Sequence, residues 1–204
     1  MVPIRSIGPR HGVRIIGHLL ALNPQDRYLR FGYAASDEQI QRYVDGINFG
    51  RDEVFGIYNR KLELIAMAHL AFSTDPSLQS CAEFGVSVLA HARGRGYGAR
   101  LFDRAVMHAR NEGVQMMFIH ALSENTAMLN IARKAGATVE RDGSESEAYL
   151  KLLPADLDSR ITELFDEQIA QADYRLKVQA TQFWRFLGTL QQIRQGVRGS
   201  AAEL

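Results

Sequence analysis

The 204-residue sequence has a single cysteine, Cys81, so no disulfide can form within the chain. It also has no uninterrupted apolar run of the roughly 20 residues that a membrane-spanning helix requires. Its amino-terminal stretch carries neither the basic segment nor the apolar run and small-residue cleavage site of a secretory signal. These absences predict a cytoplasmic protein without a membrane partner. Excess charge is missing as well: 24 basic residues face 23 acidic ones, without the broad positive field of a nucleic-acid binder, and no nucleic-acid partner is expected. No cluster of His, Cys, Asp and Glu has metal-ligand spacing, so no metal is expected. Cys81 has no helix terminus or basic neighbour to activate its thiol, which argues against covalent catalysis. What the chain does have is apolar content, 46% of its residues, enough to bury a core without disulfide or metal.

Apolar spacing and local breakers divide the chain. Residues 1–12 carry Pro3, Gly8, Pro9 and Gly12 among isolated apolar residues, which suits a lead-in segment or a first strand. Val13 to Leu22 is predicted as a short helix that Asn23-Pro24 stops, because proline disfavours helical geometry in the residue before it. Ser36-Asp37-Glu38-Gln39 is a capping-box signature, opening a helix with Ile40, Tyr43, Val44 and Ile47 on one face and an end near Gly50. Two strands, Glu53 to Tyr58 and Leu62 to Phe72, are joined by the polar turn Asn59-Arg60-Lys61. Cys81 to Leu89 reads as a strand, Gly96 to Glu112 as a helix closed by Gly113, and Val114 to Ala121 as a strand. Asn125 to Ala135 reads as a helix closed by Gly136, and Glu147 to Leu153 as a last strand. This alternation indicates one layered α/β domain over residues 1–154.

From Ala155 onward the composition becomes polar and amphipathic. Ile161, Phe165, Ile169, Ala172, Leu176, Ala180, Phe183, Leu187 and Leu190 recur three or four residues apart, so residues 155–204 are expected to form a C-terminal helical extension that Gly188 interrupts. Its apolar stripe needs a partner but does not name it. Packing on the chain's own domain and a homodimer contact through these helices are both open.

The strongest chemical signal is Arg93-Gly94-Arg95-Gly96-Tyr97-Gly98, which follows the strand Val86-Ser87-Val88-Leu89 and precedes an amphipathic helix. A strand entering a glycine-rich turn at a helix amino terminus exposes several backbone N–H groups where the helix dipole also favours negative charge. Gly94, Gly96 and Gly98 permit close backbone approach, and Arg93 and Arg95 can add charge-assisted hydrogen bonds to phosphate oxygens. An ordinary strand-to-helix connection would also look like this. Two rival phosphate motifs are excluded: no Gly-Lys-Ser/Thr follows for a P-loop, and the glycines are too tightly spaced for the dinucleotide fingerprint.

This turn resembles the acetyl-CoA signature of the GNAT superfamily of N-acetyltransferases: arginine or glutamine, two residues, glycine, one residue, glycine or alanine. The segment from Asn125 to Ala137 is similar to the family's later asparagine-to-glycine helix, at nearly the expected distance. The resemblance covers roughly residues 12–153. It implies an α/β fold with a mixed sheet, a splayed central strand pair and flanking helices, with acetyl-CoA as cosubstrate and a primary amine as acceptor. It further implies that the strand Phe84 to Leu89 splays from its neighbour, so that backbone groups near Val86 and Val88 bind the pantetheine arm, with Asn125 hydrogen-bonding the same arm. Residues Arg93, Gly94, Arg95, Gly96, Tyr97 and Gly98 would then hold the pyrophosphate. Read by itself, Asn125 is equally a helix cap.

A lysine-like ammonium of pKa about 10.4 must lose its proton before attack, at about 4 to 5 kcal/mol near neutral pH, and a positioned base supplies the acceptor. Glu83 is the candidate, an acid inside an apolar run just before the turn, where burial would raise its pKa; it matches a strand glutamate of protein-acetylating GNAT enzymes. The bland alternative is an exposed or arginine-paired strand residue. The family's general-acid tyrosine falls on Ala132, and Tyr149 and Ser123 are the substitutes considered. A thiolate of pKa about 8.5 can also leave without a dedicated acid. His120 is read as a satisfied strand histidine ahead of an acceptor-pocket residue. The resemblance implies direct attack in a ternary complex, with the oxyanion stabilised by backbone N–H near Val88. Glu83 and the segment Asp26 to Phe31 resemble the bacterial protein-lysine acetyltransferase group, which places a protein lysine ahead of a small-molecule amine as acceptor. The competing class is a non-catalytic acetyl-CoA-binding sensor or regulatory module.

Overall fold

The computed structural model describes residues 2–74, 80–143, 145–155, 160, 162–171 and 174. Among the described residues up to 151, seven strands and five α-helices are formed: β1 (Arg5–Ser6), α1 (Gly12–Leu20), α2 (Pro24–Phe31), α3 (Asp37–Asp45), β2 (Glu53–Tyr58), β3 (Leu64–Phe72), β4 (Cys81–Val88), α4 (Tyr97–Asn111), β5 (Met116–Leu122), α5 (Thr126–Lys134), β6 (Thr138–Asp142) and β7 (Glu145–Lys151). The strands make one mixed sheet in the order β1-β2-β3-β4-β5-β7-β6. Among the described residues no helix is long and apolar enough to cross a membrane.

Both faces of the sheet are covered, which is why β2 and β3 are nearly continuous apolar runs. On one face Val54, Tyr58, Leu64 and Met67 pack with Ile15 and Leu19 of α1 and Ile40 and Val44 of α3. On the other, Phe55, Ile57 and Phe84 pack with Leu101, Phe102 and Ala105 of α4 and Leu129 and Ala132 of α5. Phe84 and Phe102 meet edge to face with ring centroids 5.0 Å apart. Each such buried side chain contributes about 1.5–3 kcal/mol relative to exposure.

The local signals act as expected at most boundaries. Ser36 and Gln39 form the reciprocal capping box of α3, although that helix stops at Asp45 before Gly46, short of Gly50. Gly113 and Gly136, at φ of 79° and 86°, follow α4 and α5. Two elements depart from the sequence reading. Asn23-Pro24 ends α1 but also starts α2: the Asn23 side chain accepts the Asp26 N–H at 2.8 Å, and proline occupies the first helical position, where it has no hydrogen bond to lose. The charged stretch Thr138–Asp142 is a strand, paired antiparallel with β7 across the turn at Gly143.

The C-terminal extension is described only in part. Positions 162–171 are helical, but they dock through acids: Glu163 meets Arg104 (3.0 Å) and His108 (2.6 Å) of α4, and Glu167 meets Arg104 (3.5 Å). Phe165 and Ile169 of the apolar stripe are exposed, so within the described residues the stripe is not covered by the chain's own domain at these two positions. Ile161, Ala172 and the stripe from Leu176 to Leu190, with Gly188, lie outside the described residues.

The feature that positions the site is the seam between β4 and β5. They pair in parallel only at Cys81↔Met116, Ala82↔Met117 and Glu83↔Phe118. Beyond Glu83, β4 follows β3 as far as Val88↔Ala66, while β5 follows β7 as far as Leu122↔Glu145. The two central strands therefore open into a V. Leu89 donates its N–H to Ile65 on the β3 side at 3.0 Å. Strand alternation then turns the N–H and C=O groups of Val86 and Val88 toward the open side of the V.

Candidate active site

One arm of the V leads to the glycine-rich turn. A short 3-10 turn at Ala90–Ala92 carries the chain from β4 to Arg93, and Gly94 and Gly96 then take φ of 75° and 73°, left-handed values that side chains rarely adopt. Gly96 caps α4 without any side-chain hydrogen bond, so the first-turn N–H groups of α4 are left for another acceptor. A cavity of about 420 Å³ lies at this point, and Val86, Val88, Arg93, Gly94, Gly96, Tyr97, Gly98 and Asn125 all reach its wall. Arg95 is exposed and does not line it. A Cβ on Gly98 would lie 3.3 Å from the Ile131 side chain, so glycine there lets α4 and α5 close up.

Two of these residues make contacts that tie the turn and α5 to α2. Arg93 folds back over the cavity, donating from Nε to the Val88 carbonyl at 3.2 Å and pairing with the buried Asp26 of α2. Asn125 caps α5 by accepting the Met128 N–H at 3.2 Å, and its amide nitrogen donates to the Leu29 carbonyl at 3.3 Å.

A second cavity of about 430 Å³ shares Leu29, Arg30, Val86, Asn125 and Met128 with the first, so the two are halves of one cleft along the V. Glu83 stands in this second half. It is exposed, so the burial expected of it is not found, and its carboxylate has no hydrogen bond or ion pair among the described residues. His120, on β5, is half-exposed and 3.4 Å from Glu147 of β7, and it also lines this half of the cleft. Ala132 is fully buried. Tyr149 donates to Glu140 at 2.9 Å, Ser123 meets Ser146 at 2.9 Å, and neither lines the cleft. Among the described residues, no group of His, Cys, Asp and Glu is arranged to hold a metal ion.

Three-dimensional pairing brings in residues that the sequence did not single out. Arg30 of α2 reaches both halves of the cleft and donates to the Tyr43 hydroxyl at 2.8 Å. Tyr43 lies 2.7 Å from Nδ1 of His69, whose Nε2 is 3.4 Å from the carboxylate of Asp52. Burial, reinforced by the charge of Arg30, holds His69 below its ordinary pKa and favours the neutral ring. Asp52 is held below the usual carboxylate range: burial alone would raise it, but its hydrogen bond to Arg51, the charge of that guanidinium and the Phe72 N–H outweigh that. Behind β4, His18 bridges the Leu64 carbonyl and the Ser87 hydroxyl, both at 2.8 Å, and burial pushes it down to about 4. The stretch from Asp26 to Phe31 was visible as a segment, but nothing in its spacing pairs Arg30 with Tyr43.

The profile of the acetyltransferase (GNAT) family matches residues 16–137. A search of curated proteins returns no match. Among solved structures, the chain is similar to the GNAT domain of S. lividans PAT, with 19% identity, 73% of this chain and 89% of that one covered, and a TM-score of 0.62. It is also similar to the ribosomal-protein-alanine N-acetyltransferase of Brucella melitensis, at 15% identity with 73% and 99% covered and a TM-score of 0.56. A third likeness is to yncA of Salmonella typhimurium, solved with its cofactor acetyl-CoA, at 14% identity with 76% and 96% covered and a TM-score of 0.59. At such identities the likeness is one of fold.

Proposed function

The chain belongs to the acetyltransferase (GNAT) family, and from that premise we propose that it transfers the acetyl group of acetyl-CoA to a primary amine, with a protein lysine the first acceptor to test. The observation that carries this reading is the convergence, on one cavity, of the free edge of β4 and the uncapped amino terminus of α4. The cleft fits the cosubstrate on chemical grounds. Backbone N–H groups at Gly96 to Gly98 suit a diphosphate, and the strand groups of Val86 and the N–H of Val88, turned from β3, suit the amides of a pantetheine arm. Arg93 adds positive charge to the same wall, Tyr97 and Gly98 shape it, and Asn125 stands where the two halves of the cleft meet. Arg95 is exposed on the turn and does not line the cavity, so its part in this reading is charge and not contact.

Acetyl-CoA supplies the acetyl group as an activated thioester. Glu83 accepts the ammonium proton through water, which its exposed position allows, and leaves the nitrogen neutral for direct attack. The N–H of Val88, directed into the V, donates toward the oxygen on which charge develops. The parallel with S. lividans PAT supports a protein acceptor by its name alone.

A second reading, an acetyl-CoA-binding module without turnover, draws on the burial of Ala132 and the placement of Tyr149 and Ser123 away from the cleft. Calorimetry with acetyl-CoA, followed by turnover on a panel of amines and lysine peptides, separates the two. Binding with transfer that Glu83→Gln diminishes supports the enzyme; binding without transfer to any acceptor supports the module.

A further inference from the structure

Arg30 is the basic group at the junction of the two halves of the cleft, and its setting is specific. Its guanidinium lies flat against β4 where Gly85 offers no side chain: a Cβ there would be 2.6 Å from Cζ. The rings of Phe31 and Tyr43 stand 5.1 and 5.4 Å from Cζ. Because arginine can only donate, the Tyr43 hydroxyl accepts from Nη2 and donates its own hydrogen bond to Nδ1 of His69, leaving Nε2–H to face Asp52. Four residues from α2, α3, β3 and the segment before β2 thus fix one side of this guanidinium.

The other side of the fork is unused. Among the described residues, Arg30 makes no ion pair and no hydrogen bond beyond the one to Tyr43. A half-buried guanidinium, held rigidly and turned into a cleft with spare donors, suits bidentate recognition of a carboxylate. The same cavity carries Glu83 and Glu147. Glu83 does not pair with Arg30, so a cationic and an anionic group stand separately in one pocket of about 430 Å³. Such a bipolar wall matches a bipolar ligand, with carboxylate toward Arg30 and ammonium toward Glu83.

We propose that Arg30 is a carboxylate-binding residue of the acceptor half of the cleft, and that the molecule whose amine is acetylated carries a carboxylate able to reach Arg30 while its nitrogen faces Glu83. The proposal rests on the acetyltransferase reading above and narrows its substrate class. The carboxylate can belong to a free amino acid or to an acidic residue beside a lysine in a peptide.

The test uses paired ligands that differ only in that group: L-amino acids against their carboxamides, and lysine peptides with aspartate against asparagine beside the lysine. Wild-type protein is expected to favour the carboxylate member of at least one pair by about 10- to 100-fold in kcat/KM. Arg30→Gln should bring that ratio close to one, and Arg30→Lys should retain part of it. Reading the ratio within each variant cancels any general loss of folding or cofactor affinity. Which pair discriminates identifies the source. The same pairs are titrated calorimetrically into protein saturated with coenzyme A, so that absence of turnover, which would defeat the acetyltransferase reading, still leaves carboxylate recognition measurable. Equal behaviour of every pair in wild type, or a preference that survives in Arg30→Gln, overturns the proposal. So does a preference for succinyl-CoA over acetyl-CoA that Arg30→Gln abolishes while the acceptor pairs behave alike, which would place the carboxylate on the donor.

Discussion

His18 shows how one buried side chain links pH to the integrity of the cleft. Its ring donates from Nδ1 to the Leu64 carbonyl and accepts from the Ser87 hydroxyl at Nε2, fastening α1 to β3 and β4. Its pKa falls from 6.5 to about 4 on folding, so the unfolded chain takes up the proton first. Stability from the neutral ring is complete above pH 6.5 and is lost as pH falls toward 4, by about 3 kcal/mol in all. Thermal melts at pH 7.5 and 4.5 should show a smaller drop in Tm for His18→Gln than for wild type; equal drops would contradict this. Glu83 acts on chemistry instead. Glu83→Gln should lower kcat by about 10²-fold or more while leaving acetyl-CoA affinity unchanged, and its activity should recover as pH rises and the free amine becomes available. An unchanged kcat at neutral pH would remove Glu83 from the reaction. At this scale Gly94 and Gly96 were legible in the sequence because their left-handed torsions select glycine. Arg30, Tyr43, His69 and His18 were not, because a hydrogen bond between residues many positions apart leaves no local pattern.

Elements were legible where a cap or a period marked them, and obscure where one signal served two purposes. The capping box of α3 and the closing glycines of α4 and α5 are local chemistry and appear directly in the sequence. Asn23-Pro24 reads as a stop for α1, but the same pair supplies the cap and first residue of α2, so the helix carrying Asp26 and Arg30 was hidden behind its own start signal. The strand β6 sits at the sheet edge with the sequence Thr-Val-Glu-Arg-Asp, and too few of its residues are apolar to show an alternation. The segment at 162–171 docks on α4 through ion pairs, while Phe165 and Ile169 of its apolar stripe stay exposed. Glu163 gathers Arg104, His108 and Asn111, and its charge and hydrogen bond hold His108 above its ordinary pKa against the opposing effect of burial. Glu163→Ala should therefore cost about 1–3 kcal/mol and speed proteolytic cleavage within 162–171. Unaltered stability and protection would show that these ion pairs do not hold the segment.

At the scale of the whole molecule, two apolar clusters on opposite faces of one sheet hold β4 and β5 at fixed positions. The seam between them is short because each strand is more extensively paired with its outer neighbour. That imbalance opens the V, exposes the edge of β4 and aims it at the start of α4, so the cleft follows from sheet topology and survives extensive sequence change, as relatives with 14–19% identity and the same fold indicate. The general course of the fold was legible because the turn and the later helix imply a family order of elements. The second half of the cleft was legible only at Glu83 and His120, because it is assembled from α2, α3, β4, β5 and β7 and belongs to no single motif. The central claim is that backbone amides around Gly96 hold the diphosphate of coenzyme A. Isothermal calorimetry of acetyl-CoA on wild type and Gly96→Val, with circular dichroism to verify folding, tests it most directly. The account predicts saturable binding to wild type and at least a 10-fold weaker association in the folded variant, in line with the loss of charge-assisted hydrogen bonds; no binding to wild type, or equal affinity in the variant, would contradict it.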